Sequence, residues 1–149
     1  MHRRLFIQAG ALASLTLSAS FLIAARAESA SATGQKRQKI VIQVSDNDPA
    51  KWNLALNNAK NLQEDVGAAN VDIEIVVYGP GIGMLKLESP AGSRVADAMT
   101  AHVKVTACEN TMRGQKLTRD DMLTAISYVP AGVTEIMRKQ SEGWAYLRP

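Results

Sequence analysis

Lys39-Ile40-Val41-Ile42-Gln43-Val44 is a β-branched, mostly apolar run with little polar alternation. Such a run fits a strand buried on both faces, and a strand of that kind requires helices on either side of its sheet. Ser45-Asp46-Asn47-Asp48-Pro49 follows at once, a capping cluster with proline at the first helical position. Trp52, Ala55, Leu56, Ala59, Leu62 and Val66 then recur at steps of three or four, predicting a helix that Gly67 closes. Val71 to Tyr78 reads as a second strand, with Val71, Ile73, Ile75 and Val77 on one face.

The alternation continues to the end of the chain. Gly79-Pro80-Gly81-Ile82-Gly83 breaks the second strand sharply. A helix over 94–101 leads to a third strand, Val103 to Ala107, and then to Cys108. Thr118-Arg119-Asp120-Asp121 has the capping signature of a short helix carrying Met122 and Leu123. A short strand over Ile126 to Val129, a helix over Pro130 to Glu142 ended by Gly143, and a final strand from Trp144 to Leu147 complete the pattern. Trp144 and Tyr146 share one face of that strand, placed either in a core or at a subunit contact. Short strands separated by helices predict an α/β fold, a three-layer α/β/α sandwich with a mainly parallel five-stranded sheet over residues 39–149.

The segment before it reads as an address. Met1-His2-Arg3-Arg4 is a basic start, residues 9–25 carry no charge, and Ala25-Arg26-Ala27 offers a small-x-small cleavage pattern. Residues 1–27 are therefore expected to be a signal peptide cleaved near Ala27, with 28–38 a flexible tail and the mature protein periplasmic. Seventeen uncharged residues diluted by serine and threonine fall short of the ~20 apolar residues of a stable span, so no membrane anchor is expected after cleavage. Arg3-Arg4-Leu5-Phe6-Ile7 resembles a twin-arginine export signal, with His2 and Gln8 departing from its usual flanks.

Charge narrows the function. The full chain has 17 basic and 14 acidic residues, but Arg3, Arg4 and Arg26 leave with the leader, so the mature domain balances 14 against 14. Its one basic cluster, Lys36-Arg37-Gln38-Lys39, lies at the start of the domain without interleaved aromatics, which argues against nucleic-acid binding. One cysteine and two histidines form neither an intramolecular disulfide nor an ordinary zinc site. No metal and no cofactor are expected.

In a parallel sheet, ligands meet the carboxyl ends of the strands. Four segments gather there: Ser45 to Asp48, Gly79 to Gly83, Cys108 to Met112, and Pro130 to Gly132. The only thiol thus sits at the functional edge, where Glu109-Asn110-Thr111-Met112-Arg113 can turn into a short helix whose N–H groups favour a thiolate. Arg113 adds positive charge and Glu109 opposes it. His102 lies at the other end of the third strand, roughly 20 Å away at ~3.3 Å per residue, so a Cys–His hydrolase is disfavoured. Gly79-Pro80-Gly81-Ile82-Gly83 is neither a dinucleotide fingerprint nor a P-loop. It reads as a turn passing close to Cys108, or as a cradle from which Lys86 reaches an anion. Asp46, Asn47 and Asp48 read as helix caps ahead of metal ligands.

Several of these segments together resemble the DsrE/DsrF-like, YchN-like sulfur-relay family. The likeness runs through Lys39 to Val44, Asp46-Asn47-Asp48-Pro49 with Asn53, Ala55, Leu56 and Asn58, and Tyr78-Gly79-Pro80-Gly81. It continues in Val105-Thr106-Ala107-Cys108-Glu109-Asn110-Thr111, Val129-Pro130-Ala131-Gly132-Val133 and Gly143-Trp144-Ala145-Tyr146. The resemblance implies a compact α/β/α domain assembled into homo-trimers or hexamers. It also implies a cysteine that carries sulfur as a persulfide between donor and acceptor proteins, a sulfurtransferase-like role falling on Cys108. Two functions are thus carried forward. In the first, Cys108 is a sulfur carrier supported by Asn110 and Thr111. In the second, a non-catalytic oligomeric module binds a small anion or partner protein with Asn47, Gly81, Gly83 and Lys86.

Overall fold

Strand β1 (Gln38–Val44) forms where the sequence concentrates β-branched residues, and its last four positions are buried. In the computed structural model, which describes residues 36–149, it stands between two parallel neighbours. The expectations for a leader over 1–27 and for most of the tail over 28–38 lie outside the described residues. Gln38, placed in that tail by its sequence, is the first residue of β1 and pairs with Val71.

Helix α1 (Pro49–Val66) starts as its capping cluster dictates: the Asp48 carboxylate accepts the Ala50 N–H at 2.8 Å, and Pro49 occupies the first turn. It buries Trp52, Ala55, Leu56 and Ala59. Strand β2 (Val71–Val77) is followed by a 3-10 segment over Gly79–Leu85, then α2 (Gly92–Thr100) and β3 (Lys104–Cys108). Helix α3 (Glu109–Gly114) begins directly at the end of β3. The Thr118–Asp121 capping box closes one 3-10 turn, Arg119–Asp121, instead of a longer helix. Strand β4 (Ser127–Val129), α4 (Gly132–Ser141) and β5 (Ala145–Leu147) follow.

All five strands are parallel, in the order β4-β3-β2-β1-β5. The two faces are covered unequally. Under α1 and α2 lies the larger core, in which Ile42, Ile73, Ile75, Val77, Val105 and Ala107 meet Trp52, Leu56 and Val95. Among the described residues the opposite face is covered by α4, whose apolar seat is Ile136 on Val41 and Val76, flanked by Tyr78 and Trp144. In-register pairing and the two-residue period put Glu74, Val76 and Tyr78, and Lys104, Thr106 and Cys108, on this thinner side. The polar residues of the sheet therefore share a face with the only thiol.

Candidate functional site

Cys108 is the last residue of β3 and the N-cap of α3, so its backbone leaves the sheet in an extended conformation and turns into the helix. It is 4% exposed. Burial alone pushes the thiol up, but the Thr111 hydroxyl and the backbone N–H groups of Gly132, Thr111 and Asn110 outweigh it and hold the thiol below its ordinary value of 9.0. The side chain closes no capping hydrogen bond of ordinary geometry. These donors surround the sulfur loosely and are set to tighten on a thiolate.

Their placement has identifiable causes. The Thr111 hydroxyl oxygen accepts the Gly79 N–H at 2.8 Å, which leaves its proton free to turn to Sγ. The Asn110 N–H is shared with the Pro130 carbonyl at 3.1 Å, so it contributes least to the sulfur. Gly132 opens α4, and a Cβ there would stand 3.3 Å from Cys108 Cβ and 3.0 Å from Tyr78 Cβ. A side chain there would force Tyr78 or the start of α4 to give way by a few tenths of an ångström. Tyr78 packs against the other side of Gly132, and burial and the neighbouring Tyr146 push its phenol up.

The charges expected to oppose each other at Cys108 are each paired elsewhere. Glu109 is bound by Arg119 at 2.9 Å, and Arg119 also lies over the Tyr128 ring. Arg113 donates to the Asn110 side chain. The thiol thus feels mainly oriented N–H and O–H dipoles, with little net charge from its own helix.

The structure separates the remaining candidates from this centre. Gly81 lies against the end of β1, where a Cβ would come within 2.7 Å of the Val44 carbonyl oxygen. A Cβ at Gly83 would stand 3.1 Å from the Asn47 side-chain oxygen and 3.3 Å from the Trp52 ring. Asn47, Gly81 and Gly83 therefore form close packing beside β1 and α1, while Gly79 hydrogen-bonds to the cysteine segment through Thr111. Lys86 reaches toward Glu88 at 3.9 Å. Asp46 pairs with Lys51 at 3.2 Å and Arg148 at 3.5 Å, and Asp48 caps α1. Among the described residues no cluster of three or more His, Cys, Asp or Glu could hold a metal ion. A groove of about 390 Å³ between α1 and α2 is lined by Leu56, Arg94 and Val103, toward the opposite end of β3 from Cys108.

Sequence reasoning located Cys108, Asn110 and Thr111 but missed Tyr78 and the part played by Gly132. Tyr78 carried one signal, its position directly after a strand at the carboxyl edge. The ion pair between Glu109 and Arg119 had none.

Comparisons place this geometry among known proteins. The model of the DsrE/DsrF-like family matches residues 38–149. A protein of unknown function from Methanobacterium thermoautotrophicum shares 34% sequence identity and superposes with a TM-score of 0.72, over 75% of this chain and 99% of its own. The ychN protein of E. coli, at 17% identity, covers 75% of this chain and 99% of its own with a TM-score of 0.61. A conserved protein of unknown function from Bacteroides thetaiotaomicron, at 11% identity, covers 75% and 95% with a TM-score of 0.62. The latter two share the fold. No curated protein matches the sequence.

Proposed function

This chain belongs to the DsrE/DsrF-like family, and on that premise we propose that it is a sulfur carrier in which Cys108 holds sulfane sulfur as a persulfide. The observation that carries the reading is the set of donors around Sγ: a buried thiol whose acidity is raised, despite burial, by Thr111, Gly132 and Asn110. A structural cysteine in an apolar setting would instead have its thiol pushed up and be inert.

The step needs no cofactor. The Cys108 thiolate attacks the outer sulfur of a donor persulfide, forming an Sγ–S bond as the donor's S–S bond breaks. The electron pair leaves on the donor's inner sulfur as a thiolate, so the sulfur is transferred without net oxidation or reduction. The same exchange run toward an acceptor thiol discharges the protein. The Thr111 hydroxyl and Gly132 N–H stabilise the negative sulfur before attack. The family's association with sulfur relay, the solitary thiol and the carboxyl-edge position all support this reading. Export with cleavage near Ala27, assembly into homo-oligomers, and exchange with a donor or acceptor protein belong to the same proposal.

Loading with a small persulfide donor, followed by intact-mass measurement, tests it. The wild-type domain is expected to gain the mass of one sulfur atom, removable by a reducing thiol and absent from Cys108→Ser. No gain, or a gain that persists in Cys108→Ser, contradicts the carrier role.

A further inference from the structure

The sheet face beneath α4 contains a charged group that the sulfur chemistry does not use. Glu74, in the middle of β2, is fully buried. Its Oε1 accepts the Thr106 hydroxyl at 2.7 Å and lies 3.1 Å from Lys104 Nζ. Its Oε2 lies 2.9 Å from Lys139 Nζ, its sole polar partner among the described residues. Lys139 comes from α4, is only 8% exposed, and holds its ammonium 4.0 Å from the centre of the Trp144 ring. Glu135, one turn earlier, stands 3.8 Å away and is otherwise paired with Arg138.

A buried ion pair of this kind is a poor source of stability, because desolvation offsets most of the attraction. It does have one geometry, which an apolar contact lacks. Helix α4 needs such a constraint, since its apolar seat is small and Val133 and Met137 point away from the sheet at 58% and 63% exposure. Lys139 is seven residues from Gly132, about two helical turns or ~10 Å along the axis. At that first residue the tolerance is narrow, because even a Cβ on Gly132 would stand 3.0 Å from Tyr78 Cβ and 3.3 Å from Cys108 Cβ. A slide or roll of α4 by a fraction of an ångström moves the Gly132 N–H relative to Sγ.

We propose that Glu74 and Lys139 form a positioning pair that fixes the register of α4 on the sheet, so that Gly132 presents its N–H to Cys108. The pair touches neither sulfur nor donor; it acts through the helix. This inference rests on the reading of Cys108 as a working thiolate, and it adds the device that keeps the site assembled. The charged groups facing Glu74 are Lys104 from β3 and Lys139 from α4, with Glu135 beyond Lys139. Those beside Cys108 are the neutral Tyr78 and the Arg119-paired Glu109.

The test is the pH midpoint of Cys108 alkylation by iodoacetamide in folded protein, for the wild type, Lys139→Arg and the double variant Glu74→Gln/Lys139→Met. The double variant removes both charges at nearly constant volume, so it is expected to remain folded by near-UV circular dichroism. Its midpoint should rise by about one pH unit, a roughly tenfold fall in the thiol's acid dissociation constant. Lys139→Arg, which keeps the pair, should stay close to the wild type. A folded double variant with the wild-type midpoint overturns the positioning role, and so does a Lys139→Arg midpoint displaced as far as that of the double variant. Sulfur loading measured on the same samples separates the two proposals. A displaced midpoint in a protein that never loads sulfur contradicts the carrier reading alone, whereas normal loading with an unmoved midpoint contradicts positioning alone.

Discussion

Thr111→Val is the smallest change that separates burial from hydrogen bonding at Cys108. It removes the hydroxyl between Gly79 and the sulfur while keeping the side chain's shape. Burial then acts with less opposition, and the thiol should rise by about one to two pH units, given ~1.5–3 kcal/mol for a hydrogen bond to a charged group. The alkylation rate as a function of pH measures this directly. Gly132→Ala should act from the other side. Its new Cβ displaces Tyr78 or the start of α4, and we expect thiol reactivity at pH 7 to fall roughly tenfold with a stability loss of ~1–3 kcal/mol, read by chemical denaturation. At this scale Cys108, Asn110 and Thr111 were legible, because a strand end running into a helix start is a local pattern. The Pro130–Gly132 segment was placed at the same edge, but the tight approach of Gly132 to Cys108 was not legible, since it joins residues from two separate strand–helix junctions. The pairing of Arg119 with Glu109, ten residues apart in sequence, likewise depends on how the chain returns.

Among the elements, α1 shows how local chemistry fixes a boundary. Asp48→Ala should destabilise the protein by ~1 kcal/mol in a urea titration, the usual cost of losing an N-cap, without moving the Cys108 titration. Helix α4 is the contrasting case. Its extent was readable from Pro130 and Gly143 to within two residues at either end, whereas its seat on the sheet was not, because nothing in the alternation of the strand that holds Glu74 points to Lys139 as its partner. Tertiary pairing with Lys104 and Lys139 overrides that alternation. The glycine segment after β2 was expected as a turn near the thiol and is a 3-10 helix pressed on the end of β1. Pro80 favours its first turn, and Gly81 leaves room for the Val44 carbonyl. The Gly79 N–H keeps its link to the cysteine segment.

For the whole molecule, unequal covering of the sheet divides the work. The thick apolar layer under α1 and α2 supplies most of the burial, and the thin layer under α4 holds the polar groups and the thiol. The five parallel strands were legible from β-branched runs alternating with helical ones, while the order β4-β3-β2-β1-β5 was not, because neighbours in a sheet are chosen by the connections and not by the runs. Acid should expose the cost of the buried carboxylate. Burial pushes Glu74 up, but Lys139, Thr106 and Lys104 together hold it below its ordinary value of 4.5. A carboxylate lowered in the folded state contributes its stability above the unfolded value and loses it as the pH falls through the folded one. Thermal midpoints measured from about pH 5 to about pH 3 should therefore fall less steeply in Glu74→Gln than in the wild type. Equal slopes would mean that the Glu74 cluster adds nothing to stability above that range.

The role assigned to Cys108 is tested most directly by a round trip. Protein charged with one sulfur and freed of donor is mixed with a small acceptor thiol, and both products are followed by mass. The domain is expected to lose one sulfur atom while the acceptor gains it in equal amount, with Cys108→Ser inactive at both stages. A thiol that never charges, or a charged sulfur that no acceptor can remove, would contradict it.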